Sequence, residues 1–215
     1  MDGIERAAIE GKLRKYRLVP VVSLPTVKSG VKLSEVLHHC NLPVVEVTFR
    51  TPWAADGIRE IRRNFPGMLV LAGTILTPAQ AASAVGSGAV ALVSPGFSHN
   101  IAEFCRDNDV AYYPGVCTPT EVQIALDFGL DQLKFFPAEM SGGPAMLSLF
   151  KEVYPTVRFM PTGGINIDNI NAYLNVDNVS CCGGTWLCPE SLMAEDNWNE
   201  IENRVSAACG HIGRS

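Results

Sequence analysis

The sequence predicts one (β/α)8 barrel, a TIM-barrel α/β fold spanning residues 1–215, with an extra helix ahead of the first strand. Three observations carry this. Eight short apolar, β-branched runs alternate with segments of helical spacing; no low-complexity stretch, Gly/Ser linker or change of composition divides the chain; and its 215 residues are 47% hydrophobic and 18% charged, enough for a sizeable core without disulfides. Unbroken strand–helix alternation in one domain favours a closed barrel over an open doubly wound sheet. The length is short for that fold, so the loops must be brief.

The N-terminal stretch MDGIERAAIEGKLRKY reads as a charged amphipathic helix that caps the bottom of the barrel, with no apolar core long enough for a signal peptide or membrane span. The strand runs then follow in order: RLVPVVSL from 17, PVVEVTF from 43, MLVLAGT from 68, AVALVSP from 89, VAYYPGV from 110, DQLKFFP from 131, VRFMPTGG from 157 and NVSCCGGT from 178. Helical spacing lies between them, as in VKLSEVLHHC, WAADGIREIRRNF and TPTEVQIALDFG. Thr51-Pro52, Thr77-Pro78 and Thr118-Pro119 read as helix starts, a capping threonine followed by a residue with no N–H to satisfy. Gly88 and Gly129 read as helix ends.

The net charge of -5 argues against nucleic acid or an anionic membrane as partner, while leaving room for a local basic pocket. Seven cysteines, an odd number without C-x-x-C spacing, point to buried thiols in a reducing cytoplasm. Cys181 and Cys182 should face opposite sides of their strand. His38, His39, His99 and His211 are scattered and form no metal-ligand or Ser/His/Asp pattern.

The second run, VVEVTFR, breaks the expected pattern. Alternation sends Val45, Val47 and Phe49 toward the helices and Glu46, Thr48 and Arg50 inward. Arg50, nearest the loop, belongs at the mouth, suited to gripping a carboxylate, with Glu46 about one layer deeper. In the sixth run Lys134 is embedded between Leu133 and Phe135-Phe136-Pro137, late in its strand. Burial penalises an ammonium, and a neutral amine attacks carbonyls to form a Schiff base that acts as an electron sink for breaking a carbon–carbon bond. Glu46 is then the group that gives and takes protons. The plainer reading of Glu46, Arg50 and Lys134 is a self-neutralising buried cluster; their common placement at the functional end of a barrel weighs against it.

Pro161-Thr162-Gly163-Gly164 ends the seventh run and Gly183-Gly184-Thr185 the eighth, where barrels often hold phosphate on bare backbone N–H groups. Tight turns explain either pair alone equally well. A third pair, Gly142-Gly143, reads as the opening of the next helix. Thr74, with the inward parity of Ala72 and Val70, can reach the carboxylate held by Arg50, or satisfy its hydroxyl on backbone. Ser94-Pro95-Gly96 is a weaker signal. Tyr112, Tyr113, Trp53 and Trp186 read as packing.

Together the segments EVTFRT at 46–51, AGT at 72–74, SPG at 94–96, KFFPAE at 134–139 and PTGGI at 161–165 resemble the 2-keto-3-deoxy-6-phosphogluconate (KDPG) and 4-hydroxy-2-oxoglutarate (KHG) aldolase family, in order through nearly the whole chain. The resemblance implies a class I aldolase on a (β/α)8 barrel, a homotrimer needing no metal or cofactor. It would release pyruvate from a phosphorylated keto acid and, in many members, from 4-hydroxy-2-oxoglutarate. Carried over by position, Lys134 would be the Schiff-base lysine and Glu46 the proton shuttle. Arg50 and Thr74 would hold the carboxylate, with Pro95, Phe136 and Thr162 shaping its pocket, and Gly163, Gly164, Gly184 and Thr185 would take the phosphate. Three positions depart from the family pattern: Thr185 stands where serine is usual, Leu71 for a frequent glycine, and Phe49 for a leucine, the last two on the helix-facing side. Two other functions compete, an aldolase for the galactonate-derived epimer and a noncatalytic barrel that senses phosphosugars.

Overall fold

A computed structural model describes residues 3–213. The strands are β1 (Leu18–Val22), β2 (Val44–Thr48), β3 (Leu69–Gly73), β4 (Ala91–Val93), β5 (Ala111–Tyr113), β6 (Gly115–Val116), β7 (Gln132–Phe135), β8 (Arg158–Pro161) and β9 (Cys182–Gly184). The helices are α1 (Gly3–Tyr16), α2 (Val27–His39), α3 (Ala54–Asn64), α4 (Pro78–Gly86), α5 (His99–Asp107), α6 (Pro119–Asp127), α7 (Gly143–Val153), α8 (Ile170–Leu174), α9 (Glu190–Ala194) and α10 (Trp198–His211), with a 3-10 turn at Glu139–Ser141.

Every strand pair is parallel, in a six-stranded sheet ordered β5-β4-β3-β2-β1-β9 and a three-stranded sheet ordered β6-β7-β8. The fifth apolar run is split by Pro114 into β5 and β6, because proline has no N–H for a ladder bond; its carbonyl still accepts from the Lys134 N–H at 2.8 Å. At the other boundary, single parallel bridges pair Phe159 with Val179 and Thr162 with Gly183. Strands β1, β2 and β3 are buried along their whole length, as expected of parallel strands covered on both faces. Helix α1 buries Ile9 and Leu13, one turn apart, in the common core.

Helix boundaries follow the chemistry of the turns. Thr77 accepts from the Gln80 N–H at 3.2 Å, and Thr118 forms a full capping box with Glu121. Gly88 and Gly129 lie just past α4 and α6 with φ of 97° and 72°, the left-handed conformation a helix end requires. The Thr51 start is corrected: α3 begins at Ala54, and the residue before it, Trp53, makes no side-chain cap bond. The Thr51 hydroxyl instead donates to the Leu24 carbonyl at 3.0 Å, which holds the turn leaving β2 against the end of β1 and delays the helix. The regular alternation also loosens late in the chain, where α8 has only 5 residues and two helices follow β9.

All seven cysteines are free; five are buried, while Cys40 and Cys117 are only partly so. Burial raises the Cys105 thiol to about 12 and lifts the Cys181, Cys182 and Cys188 thiols further, so these pack as small apolar groups. Among the described residues no helix is long and apolar enough to cross a membrane.

Candidate active site

The middle of β2 and the carboxyl half of β7 bring two charged side chains together beneath a cavity. Lys134 Nζ donates to Glu46 Oε1 at 3.2 Å, with side chains 6% and 0% exposed. A buried pair of this kind costs desolvation energy that its mutual attraction barely recovers, so it is weak evidence for a stability role. The neighbouring strand is cut to fit it. At Gly73 a Cβ would lie 2.1 Å from Glu46 Oε1, so β3 must lack a side chain for the carboxylate to occupy its place. The parity read from sequence for β3 is thereby corrected: Leu71 pairs with Glu46 and Gly73 with Thr48, so these residues face inward and Val70 and Ala72, paired with Val45 and Val47, face the helices. The other oxygen, Glu46 Oε2, has no hydrogen-bond partner among the described residues. Leaving a buried acceptor unsatisfied costs about 1–3 kcal/mol, a cost expected where a group is held ready for a ligand.

Thr162, just past β8, repeats the arrangement. Its hydroxyl is buried and unpartnered among the described residues, and a Cβ at Gly183 would lie 2.4 Å from it. Phe136 presents its ring beneath Lys134 Nζ, with the centroid 5.4 Å away, within cation–π range.

Above the pair opens a cavity of about 210 Å³. Arg50, Thr74, Pro95, Lys134, Phe136, Thr162, Gly163, Gly164, Gly184 and Thr185 all line it, and Glu46 lies beneath. Larger hollows exist, two bordering α1 and one between α7 and the end of α8, but none is lined by Lys134 or by the glycine turns. Arg50 is exposed at the rim and, among the described residues, makes no ion pair, which leaves its guanidinium available to an anion. Thr74 sits at φ 57°. For a β-branched residue this is a strained conformation, costing on the order of 1–3 kcal/mol, and such strain gathers at ligand sites.

The structure separates other candidates from the cavity. Thr48 is buried, but its hydroxyl donates to the Val22 carbonyl at 2.9 Å and contacts Ser23 Oγ at 2.8 Å, so it ties β2 to β1. Tyr112 is packing, its hydroxyl bonded to Ser94 Oγ at 3.0 Å. Trp186 packs against the core, and Gly184 must be glycine partly for its sake, since a Cβ there would fall 1.7 Å from the Trp186 ring. Trp53, read from sequence as packing, is corrected: it is 44% exposed, because the lengthened turn after β2 carries it outward. Gly183, read from sequence with Gly184 and Thr185 as a phosphate turn, lines the cavity too, whereas Val21 and Ile165 escaped the sequence reading. Val21 is an ordinary strand valine with no distinguishing signal, and Ile165 adjoins glycines already singled out.

A lysine in contact with a carboxylate, under a cavity with an available arginine and glycine turns, on a parallel α/β sheet, defines the class: a barrel-like α/β protein equipped for carbonyl chemistry on an anionic substrate. The family is narrower. The chain belongs to the KDPG and KHG aldolase family, whose model matches residues 9–204. It is 42% identical over 194 residues to the 2-dehydro-3-deoxy-phosphogluconate aldolase of Haemophilus influenzae, covering 90% of this chain and 92% of the relative. The KHG/KDPG aldolase of Escherichia coli is 34% identical over 196 residues, covering 91% and 92% respectively. Among solved structures, the KDPG aldolase of Legionella pneumophila, with pyruvate captured at low pH as a covalent carbinolamine intermediate, superposes with a TM-score of 0.89 at 34% identity, covering 93% of this chain and 97% of that one.

Proposed function

We propose that the protein is a class I aldolase that reversibly cleaves 2-keto-3-deoxy-6-phosphogluconate to pyruvate and glyceraldehyde 3-phosphate, and that it also cleaves 4-hydroxy-2-oxoglutarate to pyruvate and glyoxylate. The observation that carries this reading is the buried 3.2 Å contact between Lys134 Nζ and Glu46 Oε1 at the floor of the cavity. Proton transfer along that contact turns the ion pair into a neutral amine and a carboxylic acid, so one event prepares both nucleophile and proton donor. The Lys134 amine adds to the C2 carbonyl, and Glu46 gives a proton to the oxygen and takes one from the nitrogen, leaving a neutral carbinolamine. Glu46 protonates the departing hydroxyl, water leaves and an iminium remains. Glu46, now a carboxylate, takes the proton of the C4 hydroxyl as the C3–C4 bond breaks. The electron pair of that bond enters the iminium to give an enamine, and the aldehyde departs. Glu46 returns its proton to C3, and a water molecule hydrolyses the iminium to pyruvate and free lysine.

Arg50 and Thr74 hold the pyruvyl carboxylate, with Pro95, Phe136 and Thr162 around it. The Gly163-Gly164 turn, with Gly184 and Thr185, takes the phosphate at the far side of the same cavity. A Schiff base needs no metal in this scheme.

The architecture proposed with it is one domain, residues 1–215, in which the two sheets close as a (β/α)8 barrel capped at its base by α1. The single bridges from β8 to the segment around β9 support closure on one side, and β5 and β6, separated only by Pro114, support it on the other. Leu13 and Glu10 line a small hollow with Leu133, Phe159 and Cys181, consistent with a cap beneath the strands. Met140, Leu149 and Val153 are 90%, 53% and 60% exposed, apolar surface of the kind a homotrimer would cover. Seven free thiols suit a cytoplasmic setting.

Cleavage of the two 6-phosphate epimers by the purified protein, followed by pyruvate release, tests the substrate. The gluconate-derived epimer should react faster; a strong preference for the galactonate-derived one, or binding without turnover, would overturn the assignment.

A further inference from the structure

The Gly163-Gly164 turn is held from outside its own strand. Three consecutive carbonyls are tied down: the Ala138 N–H donates to Thr162 O at 2.8 Å, the Glu139 N–H donates to Gly163 O at 3.0 Å, and the Asn169 side-chain amide donates to Gly164 O at 3.0 Å. Among the described residues the N–H groups of Gly164 and Ile165 donate to no protein acceptor, which leaves them to an oxyanion.

Glu139 is the hub of this brace. Besides its backbone bond to Gly163, its Oε2 accepts from Asn169 Nδ2 at 3.2 Å and from the Tyr173 hydroxyl at 2.5 Å. Tyr173 is fully buried in α8, and burial together with the Glu139 carboxylate pushes its phenol well above the usual range, so it acts as a fixed donor. The glycines make space for these partners. Gly164, at φ 80°, would place a Cβ 2.5 Å from Glu139 Cβ, and Gly143, at φ 58°, would place one 3.3 Å from the Tyr173 oxygen. Glu139 itself does not line the cavity.

We propose that Glu139 is a positioning residue that sets the Gly163-Gly164 turn, through Asn169 and Tyr173, in the shape that takes the substrate's phosphate; this rests on the phosphate-loop reading given above. Charge alone argues against a carboxylate behind an anion site, so only the bonds Glu139 accepts can favour it. A side chain that keeps the acceptor and drops the charge separates the two effects.

The test measures the Kd of inorganic phosphate by calorimetry, and kcat and KM for the phosphorylated and unphosphorylated keto acids, on the full chain. In Glu139→Ala, Kd and the KM of the phosphorylated substrate should rise together by about tenfold, with kcat held within about threefold. Cleavage of 4-hydroxy-2-oxoglutarate should change by less than about twofold, because that substrate carries no phosphate. Glu139→Gln should restore phosphate affinity to the wild-type level or better. Asn169→Ala, on an exposed loop, should show about a threefold part of the same loss and stands in should Glu139→Ala fail to fold. Unchanged phosphate affinity in the variant, equal losses on both substrates, or no phosphate binding by the wild type would overturn the inference. Phosphate affinity reads the turn independently of the chemistry, whereas trapping of pyruvate on wild-type Lys134 reads the aldolase assignment, so the two can fail separately.

Discussion

The two sides of the cavity are built from opposite materials. Where β2, β3 and β7 meet, the working groups are side chains, a lysine and a carboxylate buried at 6% and 0% exposure. Past β8 and β9 the working surface is bare backbone, with Gly163 and Gly164 at φ 99° and 80°. One side accepts the cost of burying charge, the other the cost of a conformation only glycine adopts easily. Chemistry on the first side should therefore be lost by removing or displacing its side chains, and binding on the second by adding atoms to its backbone.

The largest effect is expected from Lys134→Met, which removes the nucleophile. Turnover should fall by at least about 10⁴-fold while the fold persists. Melting should drop as well, since Glu46 is left buried without a partner, and pairing the change with Glu46→Leu should recover stability and leave activity absent. Turnover by Lys134→Met close to wild type would refute the Schiff-base assignment.

Next come two ways of disturbing the acid. Glu46→Gln should lower kcat by about 10²–10⁴-fold with little change in substrate affinity. Gly73→Ala should lower it by about 10²-fold without removing any reacting group, because the added methyl would contest the position of Oε1, 2.1 Å away. A rise in KM alone for Glu46→Gln would make Glu46 a binding residue and collapse the contrast between the two sides.

On the backbone side, Gly164→Ala should raise the KM of the phosphorylated substrate by about tenfold and lower stability by about 1–2 kcal/mol, with kcat largely retained. Equal loss of kcat would mean that the turn belongs to the chemistry. The smallest effect is expected from Thr185→Ser, which keeps the hydroxyl at the rim and removes a methyl. Its KM should shift by less than about threefold, as steady-state kinetics would show.

The same contrast explains what the sequence disclosed. Glu46 and Lys134 stand out because a charged residue inside an apolar, β-branched run conflicts with the rule for buried parallel strands, and strand periodicity then fixes the face it occupies. Their direct contact across 88 positions of sequence comes only from the tertiary fold, which sets β2 of one sheet against β7 of the other. Gly163, Gly164 and Gly184 are ambiguous in sequence, since a Gly-Gly pair serves a tight turn, a phosphate or a bulky neighbour equally well, and at Gly184 the Trp186 ring is a sufficient reason by itself. Thr51 misled because Thr-Pro is a helix start only if the hydroxyl is free to cap, and here the Leu24 carbonyl claims it. Thr74 gave no hint of its left-handed backbone, which depends on how β3 leaves the sheet.

The pair at the cavity floor is tested by mixing the protein with pyruvate and borohydride and mapping the reduced adduct by peptide mass spectrometry. A pyruvyl adduct confined to Lys134, and absent from Lys134→Met, is the predicted result. Pyruvate binding with no adduct, or an adduct on another lysine, would rule out Lys134 as the Schiff-base residue.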